Sequence, residues 1–594
     1  VLDSGCLEEA GIRRVGVGER RWTPAELLET EARMLNTAET SLGAGVAIVD
    51  RRLVEAALAE QPELGEDQQA MVRHIAGSGH AVDVVVGRAG AGKTYALAAA
   101  VSLWRTAGYE PVGVALAARA AAELQSGTGL RASTIAQMLV DADRSDAPVL
   151  TDRSILVVDE AGMVDTRRLA TLLDMARAAG AKVVVVGDHH QLPAVETGGS
   201  FAALVGRLDP VELVTNHRQV QAWEADALAR LRTGAGGHAG IEEVLGDYDG
   251  HGRVKVGENP AEVRAAMALD WYRAQRNGER AVMVALRRDD VAELNVRARA
   301  MLLADGTLDD TDAVTVGERS FSVGDRVVCG RNDRRLRVHN ALAGTITAIQ
   351  PGDAGPVVCF ADDAGTDYAV PASYVEAGHL DHGYATTIHK AQGATVDRCL
   401  VLGDDRLYRQ AGYTALSRGR IGNDLYLIGV DDRDGYPELE LDRHGAAAED
   451  TPRERIVRAL HRDGSKELAL DIAARHGTSS DGGDSLGELW AAWDQAVAQL
   501  GQAPADSGRL DELAAAQDQR ELSLVEHSEQ LEALDRLAEQ IEWRTAQAGR
   551  AAELDRPTDV VDHLGRPPVG DRSAWRAAAG AIESYNARFA HIDG

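Results

Sequence analysis

A glycine-rich loop that ends in a lysine and a threonine is the stretch of this sequence with the clearest chemistry. The apolar run Val84-Val85-Val86 leads into Gly87-Arg88-Ala89-Gly90-Ala91-Gly92-Lys93-Thr94, which has the spacing G-x-x-x-x-G-K-[ST]. In such a loop, backbone N–H groups surround phosphate oxygens, the lysine reaches the β- and γ-phosphates, and the hydroxyl binds Mg²⁺. The sequence therefore predicts a site for ATP and Mg²⁺ formed by Gly87, Gly90, Ala91, Gly92, Lys93 and Thr94.

Two further polar motifs follow apolar strands. Asp159-Glu160 comes after Ile155–Val158, and Gly187-Asp188-His189-His190-Gln191 comes after a run that ends at Val186. Ligands of parallel sheets bind at the carboxyl ends of the strands, so the motifs should converge on one site. We expect Asp159 to bind Mg²⁺ with Thr94, Glu160 to orient or deprotonate the attacking water, Gln191 to sense the γ-phosphate, and Asp188 to belong to the nucleotide site. Neighbouring histidines on a loop point in different directions, so we do not expect His189 and His190 to bind a metal.

The elements around these motifs predict an α/β protein. Apolar strands at 112–116, 155–158 and 183–186 alternate with helical stretches, which indicates parallel strands buried on both faces. The boundaries that we predict are a helical lead-in (1–60), a first α/β unit (61–210), a second one in two parts (211–305 and 376–435), a small β-barrel inserted between those parts (306–375), and a helical C-terminal region (436–594). In the lead-in, Thr23-Pro24 has the pattern of an N-cap followed by the first helical residue.

The bulk composition narrows the class of protein. The chain has 594 residues, a net charge of −30, and four cysteines that form no C-x-x-C pair. No stretch is apolar for long enough to cross a bilayer, and no signal peptide is visible, so we expect a cytoplasmic protein. The negative charge opposes nucleic-acid binding over the whole surface, but it leaves room for a neutral or basic channel.

Two arginines and one helical stretch allow more than one interpretation. Arg218 lies in Asn216-His217-Arg218-Gln219, and Arg418 lies in Ala415-Leu416-Ser417-Arg418-Gly419-Arg420. Taken alone, either would be a surface salt-bridge residue.

The apolar spacing of Leu524, Leu531 and Ala538 fits a short coiled coil or a solvated helical hairpin.

Taken in order, the motifs resemble those of the superfamily 1B DNA helicases of the RecD-like group over roughly 64–430. The set comprises the Gln68 segment, the phosphate loop, Asp159-Glu160, 187–193, Arg218-Gln219, Tyr384-Ala385-Thr386-Thr387-Ile388-His389-Lys390-Ala391-Gln392-Gly393, and 413–420. Within that group, 159–163, 187–201 and the segment Leu564-Gly565-Arg566-Pro567-Pro568 with Trp575 are similar to the helicase half of MobF (TraA-type) conjugative relaxases.

The resemblance implies a motor built from two RecA-like domains with an SH3-like 2B insert. It implies that Gln68 reads the adenine and that Arg218 and Arg418 act as arginine fingers across the cleft. It also implies that single-stranded DNA contacts the segment containing Thr387, His389, Lys390 and Gln392, and that movement is 5′→3′ on single strands and tailed duplexes. Possible partners are a relaxase domain and the conjugation coupling machinery.

Three departures from the family pattern bear on DNA contacts. The stretch 117–121 lacks the Pro-Thr-Gly core common in motif Ia, and Asn340-Ala341 replaces the usual Asn-Gly turn of the insert. A strand-separating pin would have to be short and lie within 137–153.

Two other functions remain open from the sequence. One is a RecD-like repair helicase acting at broken ends, and the other is a non-catalytic module that binds single-stranded DNA. Because the chain begins with Val, and 1–60 is too short for a nicking domain, we expect a motor half of a longer protein. The 17 histidines are scattered, so this chain alone should not nick a plasmid at its transfer origin.

Overall fold

The computed structural model describes residues 12–14, 22–144, 148–257, 259–311, 313–316, 319–352, 354–428 and 451–477. The chain divides into two compact units, one of Val1–Ala25 with Ala473–Gly594 and one of Glu26–Ile472. In the former, β1 (Ile12–Arg14) pairs antiparallel with β2 (Trp22–Pro24). All predicted site residues belong to the latter.

A six-stranded parallel sheet forms the first half of Glu26–Ile472. In spatial order its strands are β5 (Arg131–Thr134), β4 (Glu110–Ala115), β6 (Ser154–Val158), β7 (Lys182–Gly187), β3 (Val82–Gly87) and β8 (Val211–Leu213). Val84 and Val86 pack into one apolar core and Val85 into another, so this strand is covered on both faces.

Helices and one 3₁₀ turn (Ala161–Met163) accompany this sheet. The helices are α1 (Ala25–Glu39), α2 (Arg51–Ala59), α3 (Glu66–Gly77), α4 (Lys93–Thr106), α5 (Ala118–Thr128), α6 (Ile135–Arg144), α7 (Thr166–Ala179) and α8 (Ser200–Arg207).

A five-stranded parallel sheet forms the second half. Its spatial order is β18 (Ala385–Thr387), β10 (Ala281–Ala285), β19 (Val396–Gly403), β20 (Gly419–Ile428) and β9 (Val254–Gly257). Its helices are α9 (Ala222–Thr233), α10 (Gly237–Gly250), α11 (Pro260–Arg276), α12 (Arg288–Ala304), α14 (Ile388–Ala391), α15 (Arg409–Leu416) and α16 (Pro452–His461). The last helix, α17 (Ala469–Gly477), begins against the first half, where Glu31 of α1 accepts the N–H groups of Ala469 and Leu470. The predicted α/β class with parallel sheets is confirmed.

An antiparallel β insert interrupts the second half. The hairpin β11 (Val314–Val316) and β12 (Arg319–Phe321) precedes a sheet with the order β16 (Asp367–Pro371), β15 (Val357–Asp362), β14 (Ala343–Gln350), β13 (Arg326–Cys329) and β17 (Leu380–His382). The short helix α13 (Ala372–Glu376) lies between β16 and β17. The apolar core of the insert includes Phe321 and Phe360, each at most 1% exposed.

The structure corrects four details of the sequence prediction. Pro24 ends β2, and the following helix starts at Ala25, so Thr23-Pro24 is not a helix start. The second α/β unit does not begin at 211, because β8 pairs with β3 of the first sheet. The insert continues past 375, because β17 pairs with β13.

The fourth correction concerns the pin expected at 137–153. Helix α6 occupies this stretch as far as Arg144, and the described residues 148–153 contain no strand. The 10-residue helix is amphipathic and buries Ile135 and Met138, which explains why a hairpin does not form there.

Some predictions fall on residues that the structure does not describe. These are the spacing around Leu524 to Ala538, the segment from Leu564 to Trp575, and most of 436–594. Among the described residues, no helix has the length and apolar character needed to span a membrane.

Candidate functional site

The phosphate loop has the strand–loop–helix geometry that the sequence predicts. Strand β3 ends at Gly87 and α4 begins at Lys93, whose ammonium donates to the Gly87 carbonyl over 3.1 Å. Gly90 and Gly92 have φ values of 80° and 71°, which favour glycine. A Cβ atom on Gly90 would lie 2.7 Å from Cβ of Arg218, so the loop also needs glycine there for close approach.

The carboxylates of Asp159 and Glu160 form a strained acidic pair at the end of β6. Glu160 has a φ of 51°, a conformation that non-glycine residues seldom adopt, and its N–H donates to Asp159 Oδ1 over 2.9 Å. Burial, followed by the charge of Glu160, raises the pKa of Asp159 to about 6, although Lys93 partly offsets this shift. Burial raises the pKa of Asp159 despite the positive charge of Lys93, so a divalent cation fits the donor set. The side chain of Thr94, the other predicted ligand, is exposed.

Arg218 and Arg418 converge on Glu160 from two different segments. Arg218 follows β8 and donates from Nη1 to the Ser417 carbonyl over 2.9 Å. Arg418 precedes β20, is 2% exposed, and donates from Nε to the Thr414 carbonyl over 2.8 Å. Burial, followed by the charge of Arg418, lowers the pKa of Arg218 to about 9, and burial also lowers the pKa of Arg418.

The charges around these two guanidinium groups indicate an anion site. In both cases the negative charge of Glu160 acts against the effect of burial on the pKa. Within the described residues, neither arginine has a carboxylate within 4 Å. One buried and one half-buried cation that repel each other would be stabilised by an anion between the two sheets.

A second buried network joins the two halves through Asp188. Its carboxylate accepts hydrogen bonds from Arg232 Nη2 (3.0 Å), the Tyr413 hydroxyl (3.2 Å) and Gln191 Nε2 (3.4 Å). Burial would raise the pKa of Asp188, but Arg232 outweighs this effect and the pKa is lowered. The Tyr413 hydroxyl also accepts the N–H of Ala89 in the phosphate loop over 3.0 Å.

These contacts qualify the role expected for Asp188 and add Arg232, which the sequence did not single out. Because protein donors occupy the Asp188 carboxylate, its contact with nucleotide stays a prediction. Arg232 lies on α9, far from Asp188 in the sequence, and no local pattern indicates the contact. Tyr413, on α15, opens the motif 413–420, but the motif does not indicate its contact with Asp188. Gln191 keeps a buried Oε1 without a hydrogen-bond partner, which suits a group that meets a ligand.

Gln68 lies against the phosphate loop. It is 3% exposed, and both polar atoms of its side-chain amide form hydrogen bonds. Oε1 accepts the Gly65 N–H (3.0 Å), and Nε2 donates to the Ala91 carbonyl (3.2 Å). A Cβ atom on Gly92 would lie 2.4 Å from its Nε2. This position is compatible with the adenine contact implied by the resemblance, which stays a prediction.

The segment predicted to contact DNA reaches the acidic pair. The Thr387 hydroxyl caps α14 by accepting the Lys390 N–H (3.4 Å), and His389 is exposed. Gln392 Nε2 donates to Glu160 Oε2 over 3.2 Å, and its Oε1 is buried without a hydrogen-bond partner. A residue from the segment predicted to bind DNA thus contacts the residue predicted to orient water.

Comparisons with known proteins show which families the chain resembles. The family model described as "AAA domain" matches residues 63–259. The probable conjugal transfer protein TraA of Sinorhizobium fredii is 35% identical over 453 residues, which is 76% of this chain and 39% of that protein. The chain therefore spans about two fifths of the length of that TraA protein. The ATP-dependent RecD2 DNA helicase of Deinococcus radiodurans is 28% identical over 370 residues, 60% of this chain and 48% of that protein.

A solved structure, Bacteroides Pif1 bound to single-stranded DNA, is also similar to this chain. It has 20% sequence identity and a TM-score of 0.41, with 61% of this chain and 92% of that chain covered.

Proposed function

We propose that this chain, a RecD-like superfamily 1B helicase similar to the TraA conjugal transfer proteins, uses ATP hydrolysis to move 5′→3′ along single-stranded DNA. In this proposal it is the motor part of a plasmid-transfer relaxase and unwinds duplex DNA during conjugation. The 5′→3′ direction and the role in conjugation rest on the likeness to the family.

The observation that carries the proposal is the convergence of two arginines, Arg418 buried and Arg218 half-buried, and an acidic pair beside the phosphate loop. Lys93 and the pair Asp159-Glu160 come from the first sheet, and Arg418 comes from the second. An ATPase of this kind needs a phosphate cradle, a metal ligand, a group that positions water, and cations for the charge that develops. The site has a candidate for each requirement.

Each residue in the site has a proposed role. Mg²⁺ with ATP would supply the scissile phosphoanhydride and neutralise part of its charge, with Thr94 and Asp159 as protein ligands. Lys93 leaves the Gly87 carbonyl to meet the phosphates, and Glu160 accepts a hydrogen bond from the attacking water. Arg218 and Arg418 stabilise negative charge. Gln191 would sense the γ-phosphate through its Nε2 donor, and its unpartnered Oε1 could accept a hydrogen bond from the attacking water.

DNA would act on this chemistry through Gln392. Its hydrogen bond occupies Oε2 of Glu160, and in this proposal the bond competes with the hydrogen bond from the attacking water. If single-stranded DNA takes the Gln392 amide, Glu160 becomes free to orient water, so DNA binding would stimulate hydrolysis. Thr387, His389 and Lys390 would contact the strand beside it, and we assign the β insert as the SH3-like 2B domain.

Two alternatives remain testable. A RecD-like repair helicase would share the same site, and the lower identity to RecD2 than to TraA favours the conjugative role. A non-catalytic module that binds single-stranded DNA is disfavoured by the intact set Lys93, Thr94, Asp159 and Glu160.

Steady-state ATPase assays with and without single-stranded DNA, followed by unwinding of 5′- and 3′-tailed duplexes, test the proposal. We expect DNA-stimulated hydrolysis and unwinding from the 5′ tail. Unwinding from the 3′ tail alone would refute the direction, and the absence of hydrolysis would refute the motor.

A further inference from the structure

The loop between β13 and β14 concentrates positive charge in an acidic protein. Arg331, Arg334, Arg335 and Arg337 lie within seven residues of a chain whose net charge is −30. All four side chains are exposed. Within the described part of the chain, none of their guanidinium groups has a carboxylate within 4 Å. Exposed arginines would ordinarily find acidic partners on such a surface, so this basic loop, 331–337, is available for an external anion.

The backbone of the basic loop is well organised. Asp333 Oδ1 accepts the N–H groups of Arg335 (2.8 Å) and Leu336 (3.1 Å), and Asp333 pairs with Val338 through two backbone hydrogen bonds. Arg337 has a φ of 58°. A fixed loop presents its guanidinium groups at a smaller cost in conformational entropy than a flexible one.

The basic loop lies between the segment predicted to contact DNA and the first half of the fold. It follows Cys329. Burial raises the pKa of the Cys329 thiol to about 11, and the nearby ammonium of Lys390 partly offsets this rise. At its other side, Arg334 donates to Oε1 of Gln137 on α6. The basic loop therefore reaches the helix at the place where the pin was expected.

We propose that the basic loop binds backbone phosphates of the duplex ahead of the single strand, a contact that rests on the proposed function. Proteins that hold single strands combine positive charge with aromatic platforms on which bases stack. The loop has no aromatic residue, and the neighbouring Tyr368 already stacks on Phe360 with ring centroids 5.4 Å apart. Arginines without an aromatic platform suit phosphates of a duplex, whose bases are already stacked.

The surface beside the loop has the polarity that a phosphodiester requires. A recess of about 480 Å³ is lined by Arg335 and Arg337 together with the polar side chains of Thr347 and Gln350. Among the described lining residues, Asp367 supplies the single carboxylate. Two phosphates on the rim would meet cations and hydrogen-bond donors.

The test measures DNA affinity in the absence of nucleotide as salt is varied. The test variant is Arg331→Gln/Arg335→Gln/Arg337→Gln, which keeps the Arg334 contact. The control, Arg51→Gln/Arg52→Gln/Arg131→Gln, removes three exposed arginines elsewhere and gives the same net charge. The probes are a labelled 5′-tailed duplex and its single strand alone, and thermal melting checks that each variant folds.

We expect the test variant to bind the tailed duplex at least about tenfold more weakly. Its slope of log affinity against log salt should fall by about 2 to 3, because each phosphate that an arginine neutralises contributes about 0.9 to that slope. Affinity for the single strand should stay unchanged, the control should match the parent, and the corresponding triple lysine variant should recover most of the slope. Equal weakening on the single strand, or parent-like binding of the tailed duplex, would overturn the proposal.

The two proposals fail in different ways. A parent that does not hydrolyse ATP in the presence of single-stranded DNA contradicts the motor, whereas the slope measurement needs no hydrolysis. A parent that hydrolyses ATP and a test variant that keeps the full slope contradict the duplex contact alone.

Discussion

Lys93 and Glu160 should act at different points of the ATPase cycle. Replacing Lys93 with Ala removes the single cation of the phosphate loop that can reach the β- and γ-phosphates, so hydrolysis should be abolished and nucleotide binding weakened. Replacing Glu160 with Gln leaves Asp159 in place, so ATP binding should persist while turnover stops. Equilibrium binding of a fluorescent ATP analogue and a phosphate-release assay separate the two effects. ATP binding that is absent in Glu160→Gln but kept in Lys93→Ala would contradict these roles.

Arg418 should contribute to turnover and little to DNA affinity. If it meets the γ-phosphoryl group, Arg418→Ala should lower kcat by roughly 10³-fold or more. Arg420, two residues further on, is a matched control because its side chain is 52% exposed and pairs only loosely with Asp397 at 3.8 Å. Single-strand binding without nucleotide should stay close to that of the parent in both variants. A kcat within a few-fold of the parent for Arg418→Ala would make Arg418 a structural residue.

Asp404 gives a pH dependence of stability with a defined sign. Burial raises its pKa from 3.8 to about 6, so the folded state disfavours the carboxylate relative to the unfolded state. This group therefore lowers the free energy of unfolding as pH rises from about 4 through 6. Asp404→Asn removes that destabilisation. In the native protein Asp404 Oδ1 accepts the Arg406 N–H over 3.0 Å, and the amide oxygen of the variant can still accept this hydrogen bond.

The expected gain in unfolding free energy for Asp404→Asn is about 1 to 2 kcal/mol near neutral pH and nearly zero near pH 4, after discounting for partial exposure. Denaturant titrations at the two pH values measure it. The exposed neighbour Asp405 is the control, because Asp405→Asn should change stability little. An equal gain from Asp404→Asn at both pH values would show that the effect does not come from titration.

At the scale of elements, α15 is tied to the phosphate loop by one hydroxyl. Tyr413→Phe would leave the Ala89 N–H without its acceptor and remove one donor from Asp188. We expect a decrease of about 1 to 3 kcal/mol in unfolding free energy and a raised KM for ATP, because the loop is no longer held in place. Tyr408, at the start of the same helix, is the control, since its hydroxyl has no hydrogen bond to the described residues.

The kinetic signature distinguishes positioning from simple destabilisation. A weakened phosphate loop should raise KM with a smaller change in kcat, and the effect should persist well below the melting temperature. A Tyr413→Phe variant with parent-like KM and stability would show that the hydroxyl bridge is dispensable.

Elements with a strong local pattern could be predicted from the sequence, and contacts between distant segments could not. Continuous valine runs predicted β3 and β7, because strands buried on both faces need apolar residues throughout. Strand β8 is three residues long, and the sheet it joins depends on pairing with β3, which no local pattern reveals. The bond between Gln392 and Glu160 spans 232 positions and was likewise out of reach, although each residue was singled out separately.

At the scale of the whole molecule, the insert contacts both halves of the Glu26–Ile472 unit. Arg299 on α12 donates to Asp325 (3.0 Å) and to Ser322 (2.8 Å), and these groups are largely buried. On the other side, Arg334 contacts Gln137 of α6. The insert is therefore rooted in the second half and reaches the first.

Removing the insert should separate hydrolysis from unwinding. A cut at 306–375 would leave β17 without its partner β13, so the deletion should cover 306–382 and be closed with a Gly/Ser linker. It should carry Arg299→Leu, because an unpaired buried cation would destabilise the protein. No residue predicted to contact the phosphates of ATP lies in the deleted stretch, so basal ATPase should stay within a few-fold of the parent.

Unwinding of a 5′-tailed duplex should be strongly impaired in the same deletion, because it removes both the basic loop and the Arg334 bridge to α6. Arg299→Leu in the full-length chain is the control for the added substitution, and circular dichroism with thermal melting checks folding. A folded deletion that no longer hydrolyses ATP would mean that the insert completes the catalytic cleft. Full unwinding by the deletion would instead assign strand separation to the two parallel-sheet halves alone.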